Sequence, residues 1–172
     1  MKVTITQNDI VNLKIFMLTK SMNAKKQRLV SFYAIPLEFF IVGIFIDGIF
    51  KLVPLATLVS LALALLWLFF YPKLYFKFVN KHIEQARQIE PSSIEMNLEV
   101  NDSFISFSDE KPHESEKFPI ANLRHLAKSQ ENYFVGFKPG IYIVLPQTPQ
   151  TKEVVENLSR QYRRDIESVD IN

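Results

Sequence analysis

Two apolar runs decide the fold: Leu29–Phe50 reads LVSFYAIPLEFFIVGIFIDGIF, and Leu52–Tyr71 reads LVPLATLVSLALALLWLFFY. The first run carries only Glu38 and Asp47 as formal charges, and the second run carries none. A helix needs about 20 apolar residues to cross a hydrocarbon core of roughly 30 Å, and each run has that length. The short polar break from Asp47 to Lys51 is enough only for a turn. The sequence therefore predicts two transmembrane helices that form a hairpin.

Basic residues flank the outer ends of the two runs, whereas only Lys51 lies at the turn. Lys and Arg close to the ends of a span are retained in the cytoplasm, so we expect both termini inside and the turn outside. Each such charge also contributes about 1 kcal/mol near anionic lipid, which makes membrane lipids the expected partners. Fixing the topology is the plainer role for these residues. We name this set the basic collar: Lys25, Lys26, Arg28, Lys73, Lys77 and Lys81.

Composition argues against several classes of function. A formal net charge of +2 over 172 residues is too mild to indicate a nucleic-acid-binding protein. The chain has no cysteine, so it has no disulfide, thiolate nucleophile or cysteine-based metal site. His82, His113 and His125 are scattered, and His113 lies in an acidic loop without the fixed geometry that metals select. We expect no enzyme activity, no cofactor and no metal.

The residues before the first run predict a strand and a helix. Lys2–Ile5 alternates as a short strand, and Thr6 and Asp9 have the spacing of a capping box. A helix is therefore predicted from Gln7 to about Ser21. Because a four-residue strand is too short to stand alone, we expect Lys2–Ile5 to pair with an edge of a sheet formed later in the chain.

After the second run, apolar residues recur at helical spacing and predict an amphipathic helix that begins or kinks at Pro72. The period then changes from 3.6 to 2, which predicts strands, with one helical turn at Ile120–Leu123. Thr148 and Pro149 have the pattern of a helix start, and the apolar stripe of this last helix extends to Ile166. The predicted strands are Ile94–Val100, Phe104–Ser108, Lys117–Pro119, Arg124–Ser129, Tyr133–Lys138 and Ile141–Leu145.

These elements predict an α+β membrane protein in which a helical hairpin is joined to a small antiparallel-sheet domain closed by a C-terminal helix. Four segments follow from them: an N-terminal strand and helix with basic residues (1–28), the transmembrane hairpin (29–71), the amphipathic helix (72–91) and the C-terminal domain (92–172).

The order of parts resembles the YcxB-like family of bacterial membrane proteins. The matching stretches are ITQNDI at 5–10, KKQR at 25–28, the hairpin itself, and FPIANLRHL at 118–126 with NYFVGFKPGIYIVLPQ at 132–147. The resemblance implies that the C-terminal domain is similar to bacterial pleckstrin-homology-like (PH-like) modules. It also implies the bacterial inner membrane as the location, and it carries no implication about activity.

Two features of the hairpin are candidate sites. Glu38 lies well inside the first run, where an ionised carboxylate costs several kcal/mol unless it is paired, protonated or hydrated. Counting outward from the turn places Ser60 at a similar depth, so we expect an intramembrane polar pair of Glu38 and Ser60. Ala56, Ser60 and Ala64 form a ladder of small residues that allows close helix packing. Contact with the first span is the favoured use of this ladder, and a homodimer face is the alternative.

The sequence favours a binding or scaffolding protein with an unknown protein partner and no catalytic role. Two alternatives remain open at this point. One is an immunity protein that neutralises a toxin acting at the bilayer. The other is a subunit of a small oligomeric channel or transporter built around Glu38, which requires a homo-oligomer.

Overall fold

The computed structural model describes residues 1–51, 54–88, 93–108 and 115–171. The chain forms two compact units. We call Met1–Lys20 with Ile83–Asn172 the sheet unit, and Ser21–His82 the hairpin unit. This division differs from the predicted one, which made 1–28 and 92–172 separate segments. The first twenty residues instead fold together with the C-terminal part of the chain.

The sheet unit contains two four-stranded sheets, with strand orders β1-β2-β3-β4 and β7-β6-β5-β8. Their buried faces contribute to one apolar core. All neighbouring strands are antiparallel except β5 and β8. The strands are β1 Lys2–Ile5, β2 Ile94–Val100, β3 Phe104–Ser108, β4 Ser115–Pro119, β5 Leu123–Lys128, β6 Asn132–Phe137, β7 Ile141–Pro146 and β8 Ile166–Ser168.

The N-terminal strand pairs with the first strand after the hairpin. β1 runs antiparallel to β2, with Lys2 opposite Asn97 and Ile5 opposite Ile94. The Met1 amino group also donates a 2.6 Å hydrogen bond to the carbonyl oxygen of Leu98. The prediction that Lys2–Ile5 adds to an edge of the later sheet is confirmed, and the hairpin unit is an insertion between two neighbouring strands.

Helix α1, Gln7–Thr19, packs on the second sheet through one aromatic side chain. Phe16 is fully buried and stacks on Phe134 of β6, with 4.2 Å between ring centroids and an interplanar angle of 2°. The ring of Tyr142 on β7 meets Phe16 edge-on at 5.2 Å. Burial of a Phe side chain contributes about 1.5–3 kcal/mol, so Phe16 is a main attachment of α1 to the core.

The start of α1 is joined to the β5–β6 turn by buried polar groups. The predicted capping box is present, with Thr6 and Asp9 bonded reciprocally. The other oxygen of the Asp9 carboxylate accepts from the side-chain amide of Asn132, which is fully buried. Asn12 in turn donates to Asn132 Oδ1 at 2.7 Å. The sequence pattern located the cap but not the distant partner of Asp9.

Helix α4, Pro149–Tyr162, starts as predicted, with Thr148 as its N-cap. It ends earlier than the apolar stripe suggested, because Arg163 has a left-handed conformation (φ 50°) and stops the helix. Ile166 is therefore not part of the helix stripe. It begins β8, which pairs in parallel with β5 and places Ile166 opposite Leu126.

The hairpin unit is built from helices α2, Met22–Phe50, and α3, Leu55–Arg87. Both are long and apolar enough to cross a membrane, by length and composition. α2 starts seven residues before the apolar run, so it includes the first part of the basic collar. Pro72 lies inside α3, which continues to Arg87. The amphipathic helix expected at 72–91 is thus the second half of α3, and residues 89–92 lie outside the described residues.

The other predicted elements agree with the structure within a few residues. β2 and β3 have their predicted bounds, and β4 begins two residues earlier than expected. A short 3-10 turn at Ile120–Asn122 takes the place of the expected helical turn. Most of the predicted charged loop, residues 109–114, lies outside the described part of the chain.

Truncation of Phe16 tests the attachment of α1 to the sheets. We expect Phe16→Ala to lower the free energy of unfolding of the sheet unit by about 3–5 kcal/mol, because it leaves a cavity beside Phe134. Pulse proteolysis of the detergent-solubilised full chain in increasing urea measures this change. Lys14→Ala, an exposed position on the same helix, should change it by less than about 0.5 kcal/mol. Equal effects of the two substitutions would contradict the assigned role.

Candidate functional site

The contact between α2 and α3 depends on a glycine. Gly43 is buried on α2, and a Cβ atom placed there would lie 2.5 Å from Ser60 Oγ and 2.9 Å from the Ala56 carbonyl oxygen. Ala64, one turn further along α3, is also buried. The ladder Ala56, Ser60 and Ala64 therefore faces the first span, as the favoured interpretation of the sequence predicted. Small residues on both helices let the two backbones approach closely.

Asp47 ties the two helices together at the turn. Its carboxylate accepts hydrogen bonds from the backbone N–H groups of Ala56 (3.0 Å) and Thr57 (2.8 Å), and from the Thr57 hydroxyl (2.6 Å). These N–H groups belong to the first turn of α3, where they have no partner within the helix. A carboxylate there also complements the helix dipole. Asp47 thus stabilises the start of α3 from the neighbouring helix.

Trp67 makes the corresponding contact nearer the other end of the hairpin. Its indole Nε1–H donates a 3.1 Å hydrogen bond to the backbone carbonyl oxygen of Ser31. An indole N–H has no acceptor capacity and needs a partner when it is removed from water. The contacts of Ser31 with Trp67, of Gly43 with Ser60 and of Asp47 with Thr57 together define the register of the hairpin.

Glu38 does not contact Ser60 in this register. Ser60 lies against Gly43 instead, and Glu38 is exposed. Within the described part of the chain, Glu38 has no hydrogen bond or ion pair. The predicted intramembrane pair is therefore not observed. It was inferred from depth alone, and depth does not specify which side of a helix a residue occupies.

Every residue of the basic collar is exposed. The ammonium of Lys73 lies 4.7 Å from the centre of the Phe69 ring, one turn before it on α3. Such cation–π contacts contribute about 0.5–1 kcal/mol at exposed sites. The exposure of these side chains leaves their charges accessible to lipid headgroups.

The histidines have separate surroundings. His82 Nδ1 lies 2.9 Å from the backbone carbonyl oxygen of Phe78, one turn earlier on α3. His125 is buried on β5, and its Nε2 lies 2.8 Å from Glu167 Oε2 on β8. His113 lies outside the described residues. Among residues 1–51, 54–88, 93–108 and 115–171, no three His, Asp or Glu side chains are grouped in a way that could hold a metal ion.

Besides the Asp9–Asn132 bond, the sequence analysis missed the Asp47 cap, the Trp67–Ser31 hydrogen bond and the His125–Glu167 pair. Asp47 and Trp67 had a usable signal, because each carries a polar group in a mostly apolar stretch and needs a partner there. Glu167 had no local signal. Its partner lies 42 positions earlier in the chain.

Comparisons with protein-family models, with curated proteins and with solved structures gave no significant match.

The two glycines of α2 provide a matched test of the helix contact. We expect Gly43→Ala to destabilise the hairpin by about 1–3 kcal/mol, because the added methyl group overlaps Ser60 and the backbone of α3. Gly48→Ala should stabilise α2 by up to about 1 kcal/mol, because its Cβ would meet nothing within 4 Å. The fluorescence of Trp67, the chain's single tryptophan, measures thermal separation of the helices in detergent. Shifts of the same sign in both variants would contradict this register.

Proposed function

We propose that the chain is an integral membrane protein whose hairpin anchors a cytoplasmic binding or scaffolding module. The observation that carries this proposal is the exposed apolar surface of the hairpin. Phe45, Leu55 and Phe69 are 69%, 65% and 64% exposed, and they belong to a large set of exposed Leu, Ile, Val and Phe side chains on α2 and α3. A core helix of a water-soluble protein buries such residues, whereas a membrane-spanning helix presents them to lipid.

The position of the hairpin in the chain supports an even number of membrane crossings. β1 precedes the hairpin, β2 follows it, and the two strands are hydrogen-bonded neighbours. Both ends of the hairpin must therefore lie on the same side of any membrane that it crosses. Two antiparallel spans meet this requirement, and a single span does not.

The side on which the sheet unit lies follows from charge. The basic collar is exposed at the ends of the spans that lead to the sheet unit, whereas the turn has one lysine, Lys51. Since Lys and Arg near span ends are retained in the cytoplasm, we assign the sheet unit and both termini to the cytoplasm. The YcxB-like resemblance supports the bacterial inner membrane as the location.

The sheet unit is proposed to be the binding module. Two sheets that share one core, with helix α4 between the last two strands of the chain, are compatible with the PH-like domain implied by the resemblance. Protein and lipid are the proposed partners. Hydrogen bonds inside the sheet unit also support non-catalytic recognition. In the described part of this unit, polar side chains such as Asp9, Asn132 and His125 bond to other side chains and contribute to the fold.

One observation favours a second candidate function, a subunit of a small oligomer in the membrane. Glu38 is exposed on the apolar surface of α2, where an ionisable group is costly unless another molecule or water satisfies it. An oligomeric channel or transporter would supply such surroundings.

Reporter fusions test the proposed topology in the full chain. A reporter that is active only in the cytoplasm should be active when fused after Asn172 and inactive when inserted at Gly48. A reporter that is active only outside should give the opposite result, because the hairpin places the turn across the membrane from both termini.

Carbonate extraction of the membranes is the accompanying control, and the chain should remain in the pellet. Release of the chain by carbonate, or cytoplasmic activity of the Gly48 insertion, would contradict the proposal. A pull-down from detergent-solubilised membranes then identifies the partner of the module. Recovery of the full chain without a stoichiometric protein or lipid would count against a scaffolding role.

A further inference from the structure

We propose that the hairpin self-associates, and that the Glu38 carboxyl groups of two copies hydrogen-bond to each other within the apolar region. This inference rests on the proposed insertion of the hairpin into a membrane. It goes further by naming the partner of α2, a second copy of this chain, and the group that recognises it.

The position of Glu38 around its helix is the first support for this pairing. Two residues of α2 that meet α3 are Gly43, which lies against Ser60, and Asp47, which accepts hydrogen bonds from Thr57. At about 100° per residue, these positions lie roughly 140–180° around the helix from Glu38. At the level of Gly43 and Asp47, α3 therefore covers the side of α2 opposite to Glu38, in agreement with the exposure of Glu38.

The register of the hairpin also separates Glu38 from polar groups of α3. Ser31 contacts Trp67, and Gly43 faces Ser60, so Glu38 lies at a level between Ser60 and Trp67 on α3. Every residue between these two is Leu or Ala, in the sequence LALALL at 61–66. Even a rotation of α2 about its own axis would bring Glu38 against side chains that cannot form a hydrogen bond.

Glu38 lies near the middle of the apolar run. At about 1.5 Å per residue, Glu38 lies roughly 14 Å from Leu29 and roughly 18 Å from Phe50. Both distances are similar to half the hydrocarbon thickness of about 30 Å, and a Glu side chain is too short to reach either interface from there. Its carboxyl group therefore needs a partner at the same depth.

A second copy supplies that partner by symmetry. Copies with the same topology form dimers about an axis perpendicular to the membrane, and such an axis places each residue at the depth of its own counterpart. A protonated carboxyl group is both donor and acceptor, so it is complementary to itself. The surrounding face of α2 is apolar and exposed, and it provides the packing surface: Ile41, Val42 and Phe45.

Cysteine cross-linking tests the proposal, because the chain has no cysteine of its own. Val42→Cys places a thiol one turn from Glu38 on the same face, at a residue that is 53% exposed. Leu58→Cys is the matched control. It is 60% exposed and lies at a similar level of the hairpin, on the side of α3 that is opposite to α2. Both variants are made in the full chain, and native membranes are treated with a mild oxidant.

We expect disulfide-linked dimers of the Val42→Cys variant and at least tenfold less dimer of the Leu58→Cys variant. Adding Glu38→Leu to Val42→Cys should reduce its cross-linking by a similar factor. Adding Glu38→Gln should preserve it, because an amide is also both donor and acceptor. Equal cross-linking of the two faces, or cross-linking that is unaffected by Glu38→Leu, would overturn the proposal. Loss with Glu38→Gln as large as with Glu38→Leu would also overturn it.

Carbonate extraction of every variant separates the two proposals. A chain that remains in the membrane pellet but does not cross-link through Val42→Cys overturns the dimer and leaves membrane insertion in place. A chain that is extracted from the membrane overturns both.

Discussion

The pairing of β1 with β2 is the constraint on which the rest of the architecture depends. Backbone hydrogen bonds join residues 2–5 to residues 94–97, although α1 and the hairpin lie between them in the chain. Backbone donors and acceptors in a sheet must be satisfied, so this pairing fixes the distance between the two ends of the insertion. It also explains why the first twenty residues belong to the sheet unit, with Phe16 and Asp9 anchoring α1 to the second sheet.

Within the hairpin, the side chains of Asp47 and Trp67 bond to the opposite helix, whereas Glu38 does not. An apolar environment provides no water for unsatisfied groups, so each polar atom must find a partner in the protein. Asp47 bonds to the free N–H groups of α3, and Trp67 bonds to the carbonyl oxygen of Ser31. Both contacts also determine how the helices align. Glu38 is exposed, so whatever satisfies it comes from outside the hairpin.

Most of the sheet unit could be predicted from sequence because its signals are local. β2 and β3 alternate with a period of 2, and the α1 and α4 caps are formed by residues three positions apart. The errors came where local pattern and tertiary context disagree. The apolar stripe of α4 continues to Ile166, but Arg163 ends the helix and Ile166 pairs with β5. Pro72 suggested a boundary, yet α3 continues through it.

The sequence alone determined the two apolar helices, the distribution of basic charge at their ends and the order of the strands from β1 to β7. These properties depend on composition and on the spacing of near neighbours. The tertiary structure decided that Gly43 faces Ser60, that Asp47 caps α3 and that Asp9 bonds to Asn132. It also decided that Glu38 faces away from the second helix. The physical reason is that depth along a helix can be counted from sequence, whereas the face that a partner covers depends on how closely the two backbones can approach.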